Sequence, residues 1–130
     1  MTDAEQVARD ILAELQDGFA SHDLDAVTQL LDDEVVVFGA AGEGLDTEHS
    51  HEYVARMMSA PGVVRWGWDL VVPLLVEDTT LAFAVRGSVG FDDADGSPLA
   101  PRQEFRLTCV AVRRDGRWRL RHFHGSVPQS

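Results

Sequence analysis

Val112-Arg113-Arg114-Asp115-Gly116-Arg117-Trp118-Arg119-Leu120-Arg121-His122-Phe123-His124-Gly125-Ser126-Val127-Pro128 is the stretch whose reading decides the fold. Asp115-Gly116 sits between two alternating runs. A two-residue primed turn needs positive φ, which Gly and Asp tolerate, so the pair predicts a β-hairpin. The strand after the turn has period two. Trp118, Leu120, His122, His124 and Ser126 share one face; Arg117, Arg119, Arg121 and Phe123 share the other. Counting back from the turn sets His122 opposite Cys109 and His124 opposite Leu107. The Trp118 face is the more apolar, so it is expected to be the interior, with both imidazoles pointing inward.

Working outward, Gln103 to Arg114 is the partner strand. Val63 to Val76 and Thr80 to Phe91 are two further β runs about Glu77-Asp78. A turn there puts Trp66, Trp68, Leu70 and Val72 on one face with Phe83, Val85 and Val89, and sets Asp69 opposite Arg86. Asp92 to Pro98 reads as a polar loop. Helices come first. Thr2-Asp3-Ala4-Glu5 is a capping box, and Val7, Ile11, Leu12, Leu15 and Phe19 form one helical stripe ending near Ser21-His22. Asp23 caps a shorter helix, Leu24 to Leu31. Glu34 to Phe38 is a short β-branched strand, Gly39 to Gly44 a flexible loop, and Ser50 to Ser59 a third helix stopped by Pro61-Gly62. Helices followed by a long meander imply an α+β fold. The helices are expected to pack on a strongly curved antiparallel sheet, giving a cone-shaped half-open barrel with a ligand pocket at its mouth.

The chain has 130 residues and a formal net charge of −11. One domain is expected, and a chain of this size buries about two thirds of its unfolded surface without staples. The acidic balance repels phosphate backbones, which argues against nucleic acid as a partner. No apolar run approaches the roughly 20 residues of a membrane span, so no membrane partner is expected. A single cysteine, Cys109, and an acidic, polar start point to the cytoplasm.

Arg117-Trp118 through His122, His124, Ser126 and Pro128, following the helical opening and the meander, carry a resemblance. The chain resembles the nuclear-transport-factor-2-like superfamily, and within it the SnoaL-like small proteins. Its end is similar to the association domain of calcium/calmodulin-dependent protein kinase II, but has Cys109 and Gly125 where that domain's pocket arginines align. The resemblance implies a cone with a pocket, dimerisation through the sheet, and members that range from isomerases and cyclases to non-catalytic hubs. Fold alone does not choose among them.

The residues themselves offer candidates. His122 and His124 could protonate or bind a substrate, since imidazole titrates near neutrality. They could equally serve as hydrogen-bonded struts. Asp46 and Glu48, after the glycine-rich loop, are the candidate bases; the alternative is an acid-rich helix start. Trp66, Trp68, Tyr53, Phe38, Cys109 and Met57 are candidate ligand contacts. His49-Ser50-His51 is a second His-x-His, but nothing brings it to the first pair, so neither a metal nor a cofactor is expected. The leading expectation is a protein binding a small apolar, polyketide- or steroid-like molecule, with any chemistry of the acid–base kind (isomerase, cyclase or hydratase type). The alternative is a non-catalytic dimerisation or association module whose cone is filled by Trp66, Trp68 and Met57. A homodimer is expected through Val110, Val112 and Phe123 on the outer face of the last two strands.

Overall fold

The apolar stripe from Val7 to Phe19 becomes helix α1 (Asp3–Ala20), which buries Ala8, Ile11, Leu12, Leu15 and Phe19. The computed structural model describes residues 3–40 and 42–128; Thr2 and its part of the capping box lie outside them. Asp23 caps α2 (Leu24–Leu30) by accepting from the Ala26 N–H at 3.0 Å. Strand β1 (Leu31–Phe38) starts earlier than its β-branched run suggested, because Leu31 and Asp32 are already buried. Part of the glycine-rich loop is a short strand, β2 (Glu43–Gly44), paired with the end of β1. Helix α3 (Thr47–Ser59) follows, then β3 (Val63–Val76), β4 (Thr80–Asp92), β5 (Gln103–Arg114) and β6 (Arg117–Ser126). Asp115 and Gly116 have φ of 53° and 75°, the doubly positive turn expected between the last two strands.

The six strands form one open sheet in the order β2-β1-β6-β5-β4-β3. Its β3 to β6 part is the expected antiparallel meander. The sheet as a whole is mixed, because β1 runs parallel to β6. These two strands are joined through the entire meander, so no tight turn forces them antiparallel.

Three extra residues shape the sheet. Val110 pairs with His122 but Ala111 with Leu120, leaving Arg121 as a bulge. Trp68 pairs with Gly87 and Leu70 with Arg86, leaving Asp69 over; Leu74 is over between Pro73 and Leu75. Each bulge bends the strand and turns its later side chains to the opposite face. In β3, therefore, Trp66 points inward and, after Asp69, so does buried Val71, while Leu70 and Val72 point outward. Asp69 does not face Arg86 as the turn count implied; Leu70 does.

Strand β3 ends the sheet, and α1 covers its edge with side chains. Gln16 Nε2 donates to the Val64 carbonyl at 2.9 Å, and its Oε1 accepts from the Trp66 N–H at 2.8 Å. Arg9 donates to the Trp68 carbonyl at 3.1 Å. The unpaired ladder that an edge strand would present is thus occupied from Val64 to Trp68. At the other end of the sheet, buried Asp32 accepts from Arg114 Nε at 2.6 Å and ties β1 to β5. Burial pushes its carboxyl up, but the Arg114 hydrogen bond, the Glu34 N–H and the charges of Arg114 and Arg121 outweigh this and hold it below its ordinary value.

Replacing Gln16 with Leu keeps the bulk and strips two half-buried backbone groups of their partners. Gln16→Leu should lower unfolding free energy by about 1–3 kcal/mol, read from the urea midpoint with an unchanged slope.

Candidate functional site

The strand ends dictate where the cone opens. The C-terminal ends of β1, β4 and β6 and the N-terminal ends of β3 and β5 meet at one rim, and α3 lies across it. Behind the rim is a cavity of about 390 Å³. Leu15 and Phe19 of α1, Val27 of α2, and Leu31 and Leu120 contribute its apolar depth. Trp66, Phe105, Phe123 and Val37 add wall from the sheet. Trp66 meets Phe19 edge-on at 5.3 Å and stacks on Trp68 at 5.7 Å. Aromatic and aliphatic walls of this size are those of ordinary small-molecule pockets.

Helix α3 supplies the rest through one stripe. Tyr53, Arg56, Met57 and Ala60 are spaced i, i+3, i+4, i+7, and all border the cavity. The glycine loop is seated on this stripe: the Gly39 N–H bonds the Gly42 carbonyl at 2.8 Å, and a Cβ on Gly39 would run into the Tyr53 hydroxyl. A Cβ there would require the end of the Tyr53 side chain to give way, so Gly39 packs closely on Tyr53. The polar side chains on the cavity lining are Tyr53, Arg56 and, from the start of β5, Gln103.

Of the expected ligand contacts, Trp66, Tyr53 and Met57 border the cavity, and Trp68 stands behind Trp66. Phe38 and Cys109 do not border it. Phe38 points to the outer face, with its ring 5.5 Å from those of both His122 and His124. Cys109 is wholly buried beneath the sheet, and burial pushes its thiol far up, away from the thiolate a nucleophile needs.

The imidazoles are the main correction. Because Arg121 is a bulge, His122 faces Val110 and His124 faces Thr108, while Phe123 takes the inward place opposite Cys109. Both histidines therefore stand on the outside of the sheet, and Phe123 leaves the outer face where it was expected to join an interface. His122 Nδ1 donates to the Val36 carbonyl at 2.8 Å, the act of a strut between β6 and β1. His124 borders a separate outer groove with Arg86, Arg106, Thr108, Ser126, Leu70 and Val72.

Asp46 and Glu48 also stand away from the cavity. Asp46 is the N-cap of α3, accepting the His49 N–H at 2.8 Å and His49 Nδ1 at 2.7 Å. Those two bonds, the backbone one foremost, hold its carboxyl below the ordinary value. Glu48 is an exposed acid in the first turn of α3. Among the described residues, no cluster of three His, Cys, Asp or Glu side chains could hold a metal ion.

This arrangement, helices over an open curved sheet with an apolar cavity at the rim, has relatives. The chain belongs to the SnoaL-like domain family. The family model matches residues 8–130. No curated protein matches the chain. Three solved structures show how widely the SnoaL-like fold is shared. One is an NTF2-like protein of unknown function from Pseudomonas putida KT2440 (TM-score 0.79, 16% identity, covering 100% of this chain and 90% of that one). Another, from Xanthomonas campestris, is assigned as a calcium/calmodulin dependent protein kinase II association domain (0.84, 17%, 100% and 91%). A third, from Streptomyces avermitilis, is assigned as a dehydratase from the NTF2-like family (0.81, 15%, 98% and 97%). At such identities the SnoaL-like chain shares their fold and nothing finer is carried across. No helix among its described residues is long and apolar enough to cross a membrane.

Sequence reasoning missed Arg56, Gln103, Phe105 and Phe123 as cavity residues. Two signals pointed to Arg56 and Phe123. Arg56 lies on the helical stripe of Tyr53 and Met57, and the apolar spacing Trp118, Leu120, Phe123 ends on a step of three, which marks a bulge in a strand of period two.

The Asp46–His49 pair sets a pH dependence. The hydrogen bond from His49 to Asp46, then the Asp46 charge, raises the imidazole above its ordinary 6.5. The pair's support of the α3 start is therefore full below pH 6.5 while Asp46 stays ionised, and fades as pH rises through the raised value. A proton NMR titration should place His49 above 6.5, and Asp46→Asn should bring it back down.

Proposed function

We propose that this SnoaL-like chain binds a small, largely apolar molecule inside the cone. The observation that carries the reading is the cavity of about 390 Å³, walled by Phe19, Trp66, Phe105 and Phe123 and carrying, among the described residues, the polar side chains of Tyr53, Arg56 and Gln103. Concave, mostly apolar sites with a few placed polar groups are where small ligands bind. The same cavity weighs against a cone filled by Trp66, Trp68 and Met57. Acid–base chemistry by His122, His124, Asp46 or Glu48 has no support from their placement, because all four stand off the cavity. The reading is therefore a binding protein, with a polycyclic or polyketide-like body as the shape that suits the aromatic walls.

Nile red, a neutral dye that brightens on leaving water, tests it. The dye should bind with a blue-shifted emission, and Ala60→Phe, which narrows the rim, should weaken that binding about tenfold or more. Absence of binding, or binding indifferent to Ala60→Phe, would sink the reading.

A homodimer through the outer sheet face accompanies this proposal. Its support is exposed apolar surface at Leu70 and Val72, 43% and 40% accessible, continuing into Ala84 and the half-buried Val110 and Val112. Light scattering at micromolar concentration should give twice the chain mass, and Leu70→Lys should give a folded monomer. A wild-type monomer would refute it.

A further inference from the structure

We infer that the molecule held in the cone carries an anionic group, a carboxylate, at its outer end, and that Arg56 reads it. The inference rests on the cavity-binding reading above and names the ligand class it leaves open.

Arg56 occupies the cavity-facing stripe of α3, exposed at the mouth, one turn from Tyr53 and next to Met57. Its guanidinium lies 5.8 Å from the centre of the Tyr53 ring. A cation–π contact of this kind supplies no acceptor oxygen to the guanidinium. Most other arginines have carboxylates. Arg9 pairs with Glu5, Arg65 and Arg102 with Asp92, Arg106 with Glu104, Arg114 with Asp32, Arg117 with Glu14 and Arg121 with Glu34. Arg56, Arg86, Arg113 and Arg119 have no such partner among the described residues, and of these only Arg56 borders the cone.

A chain of net charge −11 has carboxylates to spare, yet among the described residues none lies within ion-pair distance of this cation. Asp92, at the end of β4, is already shared by two arginines, at 2.6 Å from Arg102 and 3.4 Å from Arg65. A ligand entering the cone buries its apolar body against Phe19, Trp66 and Phe123 and leaves its last atoms at the Arg56 end of the mouth. A carboxylate there takes the fork of N–H donors two at a time, the geometry in which Arg recognition is strongest. A neutral end group leaves those donors to water and gains only the apolar term.

The test compares two molecules of one shape, 1-naphthaleneacetate and 1-naphthaleneacetamide, by calorimetric titration of the full chain at neutral pH and low salt. The acid should bind about tenfold or more tightly than the amide. In Arg56→Gln the two should bind alike, and in Arg56→Lys part of the preference should survive. Melting curves of both variants confirm that the fold is kept. Equal binding of acid and amide to the wild type, or a preference that persists in Arg56→Gln, overturns the inference. So does failure of both compounds in a protein that still binds Nile red, an outcome that leaves the cavity reading standing. Failure of Nile red removes that reading, and this inference with it.

Discussion

Arg121, the single residue that β6 carries beyond its partner, is the constraint on which the site depends. Without it, the hairpin would run in strict alternation from Asp115-Gly116, and His122 and His124 would stand inside the cone. With it, Phe123 faces Cys109 and the imidazoles face Val110 and Thr108. The bulge is held from the β1 side. Arg121 Nη1 donates to the Glu34 carbonyl at 2.6 Å, and His122 Nδ1 donates to the Val36 carbonyl at 2.8 Å. The β1–β6 register slips over the same stretch, between the Leu31–Leu120 and Val36–His122 pairs. One strand thus has neighbours of different direction on its two sides, antiparallel β5 and parallel β1. The bulge coincides with the slip between them.

The consequence is a division of labour between the two sheet faces. The inner face is apolar through Phe83, Val85, Leu107, Cys109 and Leu120, and toward the rim it gives way to the cavity. The outer face keeps the titratable and hydrogen-bonding groups, among them His122, His124, Arg86, Arg106 and Thr108. Burying an imidazole pair in the cone would require partners for every ring nitrogen, because an unmet buried polar group costs free energy comparable to a lost hydrogen bond. Phe123 in that position needs none. The interior can then be apolar enough to hold a hydrophobic body, with its polar recognition confined to the rim.

Edge protection is a second theme, and it links the helices to the same cavity. Gln16 of α1 hydrogen-bonds the β3 backbone at Val64 and Trp66, and those two residues also line the cone. One turn of α1 therefore covers the start of the β3 edge and fixes part of the cavity wall. Phe19, one turn further along α1, meets Trp66 edge-on from the same side. The stability of the edge and the shape of the site are not separable here.

Local chemistry determined what the sequence could determine by itself. Asp115-Gly116 required the doubly positive turn, Asp23 capped α2, the Val7–Phe19 stripe made an amphipathic helix, and helices followed by β runs fixed the α+β class. Each of these depends on residues within a few positions of one another. The Tyr53 and Met57 placements were legible for the same reason, while Trp66 kept its expected face because the two extra residues between it and the turn, Asp69 and Leu74, cancel in parity. Tertiary structure alone decided the faces of His122 and His124, the parallel docking of β1 on β6, the capping role of Asp46 and the rim position of Arg56. A period-two pattern carries no mark of where an extra residue is absorbed unless the apolar spacing is read for it, and one extra residue exchanges the two faces of everything beyond it.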